Sequence, residues 1–303
     1  MISEACYWIL NMSIVASLMG LIVMLIRKIR FIPRRVAVFI WIIPFLRMVL
    51  PVGLNSPYSL MTVLSGLTRN VTVFKPTEDI SFSVSNTIRA ADSYSPLTFK
   101  SNSLDNVFTA AGFIWIVVAL ALMIALTNLY ISTKKAVADS KFSGSNVYFS
   151  DKVDSPAVYG IIRPKIVIPE SYREKELDHI IRHEKTHIKR LDNMWRILGF
   201  ITASVHWFNP LSWVFLKAFL NDLELACDEM AIAGYETEDR KEYARTLLEC
   251  SQSKSMLVSA FGGAKVRTRI ENVLSYKKMT AFSAMGFTVL VLAIIVTLMT
   301  NAG

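Results

Sequence analysis

His183-Glu184-Lys185-Thr186-His187 lies in a long polar part of the chain, between segments that are apolar enough to cross a bilayer. Because an α-helix repeats about every 3.6 residues, His183 and His187 project from one face, one turn apart. Two imidazoles in this arrangement can bind one zinc ion, and Glu184 is then placed to act as general base on a zinc-bound water. The spacing predicts a zinc hydrolase site close to a membrane.

Composition and hydropathy favour a multi-pass membrane protein. Hydrophobic residues make up 53% of the chain and charged residues 19%, below the roughly 25% charged of a soluble domain. Three segments carry no charge and are long enough to span a hydrocarbon core of about 30 Å, namely 5–26, 108–131 and 279–303. Segment 36–54 is weaker, because Arg47, Pro44 and Pro51 interrupt it. We count it as a span, which gives four.

The distribution of basic residues predicts the orientation. The linker 27–35 is basic and contains no acidic residue, whereas the loop 53–107 balances its acidic and basic residues. Positive charge stays on the cytoplasmic side. Both termini and the loop are therefore expected outside the cell, with residues 132–278 as a cytoplasmic domain. Much of the net charge of +9 then lies beside lipid headgroups, and we expect no direct nucleic-acid binding.

The inner segment has the pattern of an α+β domain. Strand-like pieces come first, followed by helical patterning through the HEKTH string and beyond it. The strand-like pieces are 147–150, 157–159 and 166–168, and the later helical segments are 221–233, 240–251 and 266–276. The apolar stretch 197–220 is split by Asn209-Pro210 into pieces too short to span singly. We expect a hairpin there, at or just inside the inner membrane interface.

Two histidines leave a catalytic zinc ion short of one protein ligand, since such sites usually have three plus water. Glu224 and Asp228 are one helical turn apart, so one carboxylate can bind the metal while the other orients a ligand histidine. Asp192 is a second candidate for orienting a ligand or ending a helix. The rival third ligands are His179, His206, Cys227 and Asp228. We interpret His179 as a packing or ligand-orienting residue, His206 as a satisfied interfacial residue and Cys227 as a small core residue.

Three motifs together resemble the BlaR/MecR-type membrane metallopeptidases, the antirepressor sensor-transducers of β-lactam resistance. They are HEKTHIKRLDN at 183–193, HWFNPLSWVFLKAFLNDLELACDE at 206–229 and SPAVYGIIRPKIVIPE at 155–170. The resemblance implies a gluzincin zinc peptidase with His183, His187 and Glu224 as metal ligands and Glu184 as base. It also implies that the strand near 159–168 takes an extended substrate by strand addition. The expected task is cleavage of a cytoplasmic transcriptional repressor after an external signal.

One feature departs from the pattern of these sensors, which continue after the last span into an external penicillin-binding domain. This chain stops at Gly303, so we expect that a separate sensor protein or the loop 53–107 receives the signal, or that regulation differs altogether. A non-catalytic transducer or scaffold with a relic metal site is the alternative function. Charges around the HEKTH string argue against an intramembrane protease. The residue that stabilises the oxyanion is left open between Tyr159, His206 and Tyr243.

Overall fold

The computed structural model describes most of the chain, namely residues 2–29, 32–50, 55–56, 58–59, 102–172, 174–250, 265–277, 280–299 and 301–302. In the described residues, the helices are α1 Ile2–Ile26, α2 Arg34–Val49, α3 Asn102–Ala136, α4 Glu174–Arg190, α5 Asp192–Val205, α6 Pro210–Ala231, α7 Thr237–Cys250, α8 Val266–Leu274 and α9 Ala281–Met299. The strands are β1 Asn55–Ser56, β2 Lys141–Gly144, β3 Val147–Ser150, β4 Ala157–Tyr159, β5 Lys165–Pro169 and β6 Asn301–Ala302. The fold is mostly helical α+β. Most of the loop predicted at 53–107 lies outside the described residues.

Three helices of the described part are long and apolar enough to cross a membrane. The qualifying segments are Ala5–Ile26, Asn106–Ala136 and Phe282–Met299. Helix α2 is shorter, at 16 residues, and contains Pro44 and the buried Arg47. It packs in the middle of a helix bundle formed by α1, α2 and α6, where Trp41 and Ile40 contact Met19 and Phe215. The segment predicted as the second span is thus a short helix that packs one side against other helices and exposes Phe39, Leu46 and Val49 on the other.

Helices α5 and α6 form the hairpin predicted at 197–220, and its turn lies further along the bundle than we expected. The side-chain amide of Asn209 donates to the hydroxyls of Ser13 and Ser17, at 2.8 and 2.7 Å, near the middle of α1. His206 Nε2 donates to the carbonyl of Met48, near the far end of α2, at 3.0 Å. These hydrogen bonds satisfy the Asn209 amide and His206 Nε2 inside the bundle, as polar groups placed away from water require.

A small sheet packs beside the HEKTH helix. Its strand order is β2-β3-β5-β4, with β3 parallel to β5 and both edge strands antiparallel to their neighbours. Ile166 and Ile168 of β5 bury their side chains against Ile180 of α4 and Val147 of β3. The three strands predicted from sequence are present, and β2 is an additional one. This packing fixes β4 and α4 next to each other.

Candidate metal centre

Helix α4 brings the residues of the HEKTH string into one buried cluster. His183, Glu184 and His187 are all buried. The two histidine Nε2 atoms are 3.0 Å apart, and the rings meet edge to face with centroids 4.6 Å apart. The two nitrogens that a metal ion would share therefore point toward the same place, as the helical spacing predicts.

A carboxylate orients the ring of His187. Its Nδ1 donates to Asp192 Oδ2 at 2.7 Å, and Asp192 is the first residue of α5. Leu191 connects α4 to α5 in the left-handed region, with φ of 56°, a conformation that non-glycine residues adopt rarely. This sharp turn brings Asp192 back beside the helix it follows. With the hydrogen on Nδ1, the lone pair of Nε2 faces the cluster.

The ring of His183 is held by a tyrosine and a second carboxylate. Its Nδ1 lies 2.8 Å from the hydroxyl of Tyr243 and 3.3 Å from Asp228 Oδ1. The Tyr243 hydroxyl donates to the same Asp228 oxygen at 2.8 Å, so it accepts from His183 Nδ1. The chain His183–Tyr243–Asp228 again leaves Nε2 free to bind a metal ion.

Glu224 and Cys227, both on α6, compete for the position of third ligand. The Glu224 oxygens lie 3.8 Å from His183 Nε2 and 3.7 Å from His187 Nε2. Ligand atoms of a tetrahedral zinc site are separated by about 3.3 Å, given bonds of about 2.0–2.1 Å.

Ligand atoms of Cys227 and the two histidines also lie within 4.8 Å of one another. The Cys227 sulfur, however, is 3.7 Å from His183 Nδ1, the nitrogen already engaged by Tyr243. Glu224 therefore fits the two Nε2 atoms better, and the donor set suits zinc.

Two arginines lie beside Glu224 and balance the charge of the site. Arg196 of α5 binds Glu224 Oε1, and Arg269 Nη1 of α8 is 3.6 Å from Oε2. Burial raises the pKa of Glu224, but His187, Arg196, Arg269 and His183 lower it by more, to about 2. The carboxylate is therefore ionised at neutral pH, as a metal ligand must be.

The histidine rings respond to the same charges. Burial lowers the pKa of His187, but the charges of Cys227 and Glu224 and the hydrogen bond to Asp192 raise it by more, to about 9. Burial raises the pKa of Asp228, but the charges of Arg269 and His183 and their hydrogen bonds to the carboxylate lower it by more, to well below its usual range. Carboxylates thus lie next to both imidazoles and favour positive charge there, and Arg196 and Arg269 already supply a part of it.

The sequence comparison identifies the family. Residues 7–273, from α1 to α8, match the BlaR1 peptidase M56 family. The chain belongs to this family. The family is one of metallopeptidases, and the buried cluster of His183, His187 and Cys227 with Glu224 beside it is the group of described residues suited to the metal.

The curated relatives include a protein named for methicillin resistance and others named as regulatory proteins. The methicillin resistance mecR1 protein of Staphylococcus aureus strain Mu50 is 25% identical over 170 residues, 51% of this chain and 29% of that protein. Regulatory protein BlaR1 is 26% identical over 160 residues in Bacillus licheniformis, 48% of this chain and 27% of that protein. Regulatory protein BlaR1 of Staphylococcus aureus is 23% identical over 205 residues, which are 58% of this chain and 34% of that protein. The chain thus spans about a third or less of these relatives' length. Family and relatives support a membrane signalling protein with an M56 peptidase domain.

Other residues predicted for this M56 site lie around or away from it. His179 Nδ1 is 3.1 Å from the Tyr235 hydroxyl, and its ring packs on Tyr243, the residue that also contacts His183 Nδ1. His206 lies in the hairpin turn and binds the Met48 carbonyl at the end of α2 opposite Arg34. Tyr159 of β4 is half-buried, and its pKa is raised by burial and by the charge of Glu184. Of these three, Tyr159 is the one whose pKa is raised by the charge of the predicted base, Glu184.

The exposed edge of the sheet next to α4 is β4, since β5 lies between β3 and β4. The resemblance implied that an extended substrate adds as a strand near residues 159–168. In that range β5 already has a strand on each side, so only β4 has a free edge for such a substrate. The side chain of Asn193 donates to the carbonyls of Val158 and Gly160, at 2.9 and 3.1 Å. Because Asn193 follows Asp192, the edge strand is tied directly to the residue that orients His187.

Sequence reasoning missed two residues of the centre, Arg196 and Arg269. Arg196 is one helical turn after Asp192 on α5, and that spacing is a signal a sequence reader could have used. Arg269 reaches the site from α8, beyond the undescribed residues 251–264, and no local spacing connects it with the HEKTH string.

Proposed function

We propose that this protein is a membrane-bound zinc metalloendopeptidase of signal transduction, which cuts a regulatory protein on the cytoplasmic side. The observation that carries the proposal is one buried cluster: the Nε2 atoms of His183 and His187, 3.0 Å apart, with a Glu224 oxygen within 3.8 Å of each and Glu184 adjacent in the helix. Family membership agrees with it. A surface helix with scattered histidines would not bury three charged or titratable side chains in this arrangement.

The mechanism assigns a task to each residue of the cluster. His183, His187 and Glu224 would hold the zinc ion, which supplies a Lewis acid that activates water and polarises the scissile carbonyl. Glu184 accepts the proton of the attacking water and delivers it to the leaving amine. Asp192 fixes the ring of His187, and the Tyr243–Asp228 pair fixes the ring of His183.

We place the domain in the cytoplasm, with four spans and both termini outside. Asn55, which follows α2, pairs in parallel with Asn301, which follows α9. Two residues on the same side of the membrane must be separated by an even number of spans, and α3 and α9 are the two spans between them. Arg27 and Arg34, from the basic linker, lie at the same end of the bundle as the metal centre, where both approach Asp222. Helix α2 is short for a span; one side of it packs against α1 and α6, and its exposed side carries Phe39, Leu46 and Val49, which suit a lipid environment.

The proposed substrate is a cytoplasmic repressor, by analogy with the regulators among the relatives. An extended segment of that protein would pair with the edge strand β4, next to Glu184. A separate sensor protein or the external loop would receive the signal, and the lipid bilayer would hold the centre near the membrane.

The deciding experiment compares the unaltered protein with Glu184→Gln in cells and as purified protein. We expect Glu184→Gln to keep its zinc and lose cleavage, and His187→Ala to lose both. In cells, one cytoplasmic protein should appear shortened with the unaltered protein only. Glu249→Gln, an exposed position on α7, is the control and should behave like the unaltered protein. Undiminished cleavage or signalling in Glu184→Gln would instead favour a non-catalytic transducer with a relic metal site.

A further inference from the structure

Arg269 extends a buried guanidinium from α8 into the metal centre. Its Nε donates to Asp228 Oδ2 at 2.8 Å and its Nη2 donates to Asp228 Oδ1 at 2.7 Å, a two-pronged contact. The side chain is 17% exposed, whereas that of Arg267 on the same helix is 89% exposed and reaches only Glu271. Arg269 is therefore built into the centre and Arg267 is not.

The contact with Asp228 uses only part of the guanidinium. Nη2 also lies 3.3 Å from His183 Nε2, and Nη1 lies 3.6 Å from Glu224 Oε2. These are the atoms that would bind the metal ion. The lone pair of His183 Nε2 can serve the Nη2 hydrogen or a metal ion but not both. When the metal is held, that hydrogen is available to another acceptor on the same side of the cluster.

The other candidates for stabilising the oxyanion are placed elsewhere. Tyr243 binds His183 at Nδ1 and Asp228, on the far side of the imidazole from the metal position. His206 is in the hairpin turn, bonded to the Met48 carbonyl. Tyr159 is a half-buried residue of β4 whose pKa is raised by burial and by the charge of Glu184. Of the described candidates, Arg269 alone directs a donor toward both His183 Nε2 and Glu224.

We propose that Arg269 is a catalytic residue that binds the carbonyl oxygen of the scissile peptide bond and stabilises the negative charge that develops on it. This inference rests on the proposed function. A fixed cation in a water-poor site stabilises such a charge more strongly than one in water, and Asp228 holds the guanidinium in place before the reaction. Glu224 and Asp228 offset its charge, so that a cation beside a metal ion is tolerated.

The test uses the full-length protein in detergent, loaded with zinc. The probe is a quenched fluorescent peptide, chosen because the unaltered protein cleaves it and Glu184→Gln does not. Arg269→Met should lower kcat by about 100-fold or more, the loss seen when one oxyanion donor is removed, with KM little changed. Its affinity for the phosphinic analogue of the peptide, whose tetrahedral anion mimics the intermediate, should fall by a similar factor. Arg267→Met is the matched control and should change neither.

Zinc affinity separates this role from a purely structural one. Arg269→Met removes a cation and a competing donor beside His183 Nε2, so zinc affinity measured against a chelator should stay the same or rise. If Arg269 served only to position Asp228 and His183, zinc affinity would fall while kcat per bound zinc stayed normal, and the inference would be overturned. A kcat loss in Tyr159→Phe that exceeds the loss in Arg269→Met would also overturn it.

Failure of the proposed peptidase function and failure of the role of Arg269 would give different results. If no peptide distinguishes the unaltered protein from Glu184→Gln, the proposed peptidase function is contradicted. If Glu184→Gln is inactive and Arg269→Met cleaves at the normal rate, the function stands and the role of Arg269 is contradicted.

Discussion

The hydrogen bond between Asp192 and His187 is the residue-level contact on which metal binding depends most directly. Asp192 is 1% exposed, and its carboxylate holds Nδ1 of the ring so that Nε2 faces the cluster. Removal of such a partner typically lowers metal affinity by about 10–100-fold. We therefore expect Asp192→Asn to bind zinc about 10–100-fold more weakly, as measured by competition with a fluorescent chelator.

Asp178 provides the control for this measurement. It is exposed on α4, the same helix as His187, so Asp178→Asn changes the net charge equally without touching the centre. Equal zinc affinities in the two variants would show that Asp192 does not orient His187.

The centre shows which residues a sequence can reveal. The sequence reveals His183, Glu184 and His187 because they lie within about one turn of a single helix. It reveals the pair Glu224 and Asp228 for the same reason, on a second helix. Their meeting, like the approach of Arg269 from α8, depends on how separate helices pack. No spacing within one helix carries that information.

At the level of elements, the contact between α1 and the hairpin depends on a glycine. A Cβ atom at Gly20 would lie 2.2 to 2.7 Å from ring atoms of Phe215, whose side chain is fully buried. Such overpacking costs about 1–3 kcal/mol. We expect Gly20→Ala to lower the free energy of unfolding by about that amount, and to lower the unfolding temperature of the protein in detergent.

Gly286 on α9 is the matched control, since nothing lies within 4 Å of a Cβ placed there. Gly286→Ala should unfold at the same temperature as the unaltered protein. If Gly20→Ala were equally harmless, the ring of Phe215 would not pack against α1 as described.

The elements themselves were predictable to different degrees. Strands 147–150 and 157–159 followed from apolar runs bounded by turn residues, and they are present with those bounds. Strand β2, Lys141–Gly144, is polar and largely exposed, so hydrophobicity gave no signal for it. The hairpin was predictable from Asn209-Pro210, but the depth of its turn was not, because Ser13 and Ser17 lie almost two hundred residues earlier.

At the scale of the whole molecule, helix α6 connects the bundle with the metal centre. Phe215 and Phe219, in its first half, pack among α1 and α2, and Glu224 and Asp228, in its second half, belong to the centre. A displacement of α1 or α2 would therefore be transmitted along one continuous helix to Glu224, the proposed third metal ligand. If the proposed function is correct, this helix is the route by which an event across the membrane would affect the peptidase.

The strongest contact along this route is the ion pair between Arg27 and Asp222. Arg27 Nε and Nη2 bind the two Asp222 oxygens at 2.6 and 2.7 Å, and Trp41 Nε1 binds the same carboxylate at 2.8 Å. Breaking a buried pair costs about 3–5 kcal/mol, and Arg34, 3.6 Å from Asp222, offsets a part of it. We expect Arg27→Met to lower the free energy of unfolding by about 2 kcal/mol.

Arg27→Met should also weaken zinc binding, because Asp222 is two residues before Glu224 on α6 and its position sets that of the ligand. Lys28→Met, at the exposed neighbouring position, removes the same charge without breaking the pair and should change neither quantity. Thermal unfolding in detergent and chelator competition measure the two effects. A less stable Arg27→Met protein with normal zinc affinity would mean that the linker stabilises the bundle without positioning Glu224.

The route from the membrane to the metal centre would then have to run through α5 and its contact with α3, where Trp115 donates to the carbonyl of Val205 at 2.7 Å.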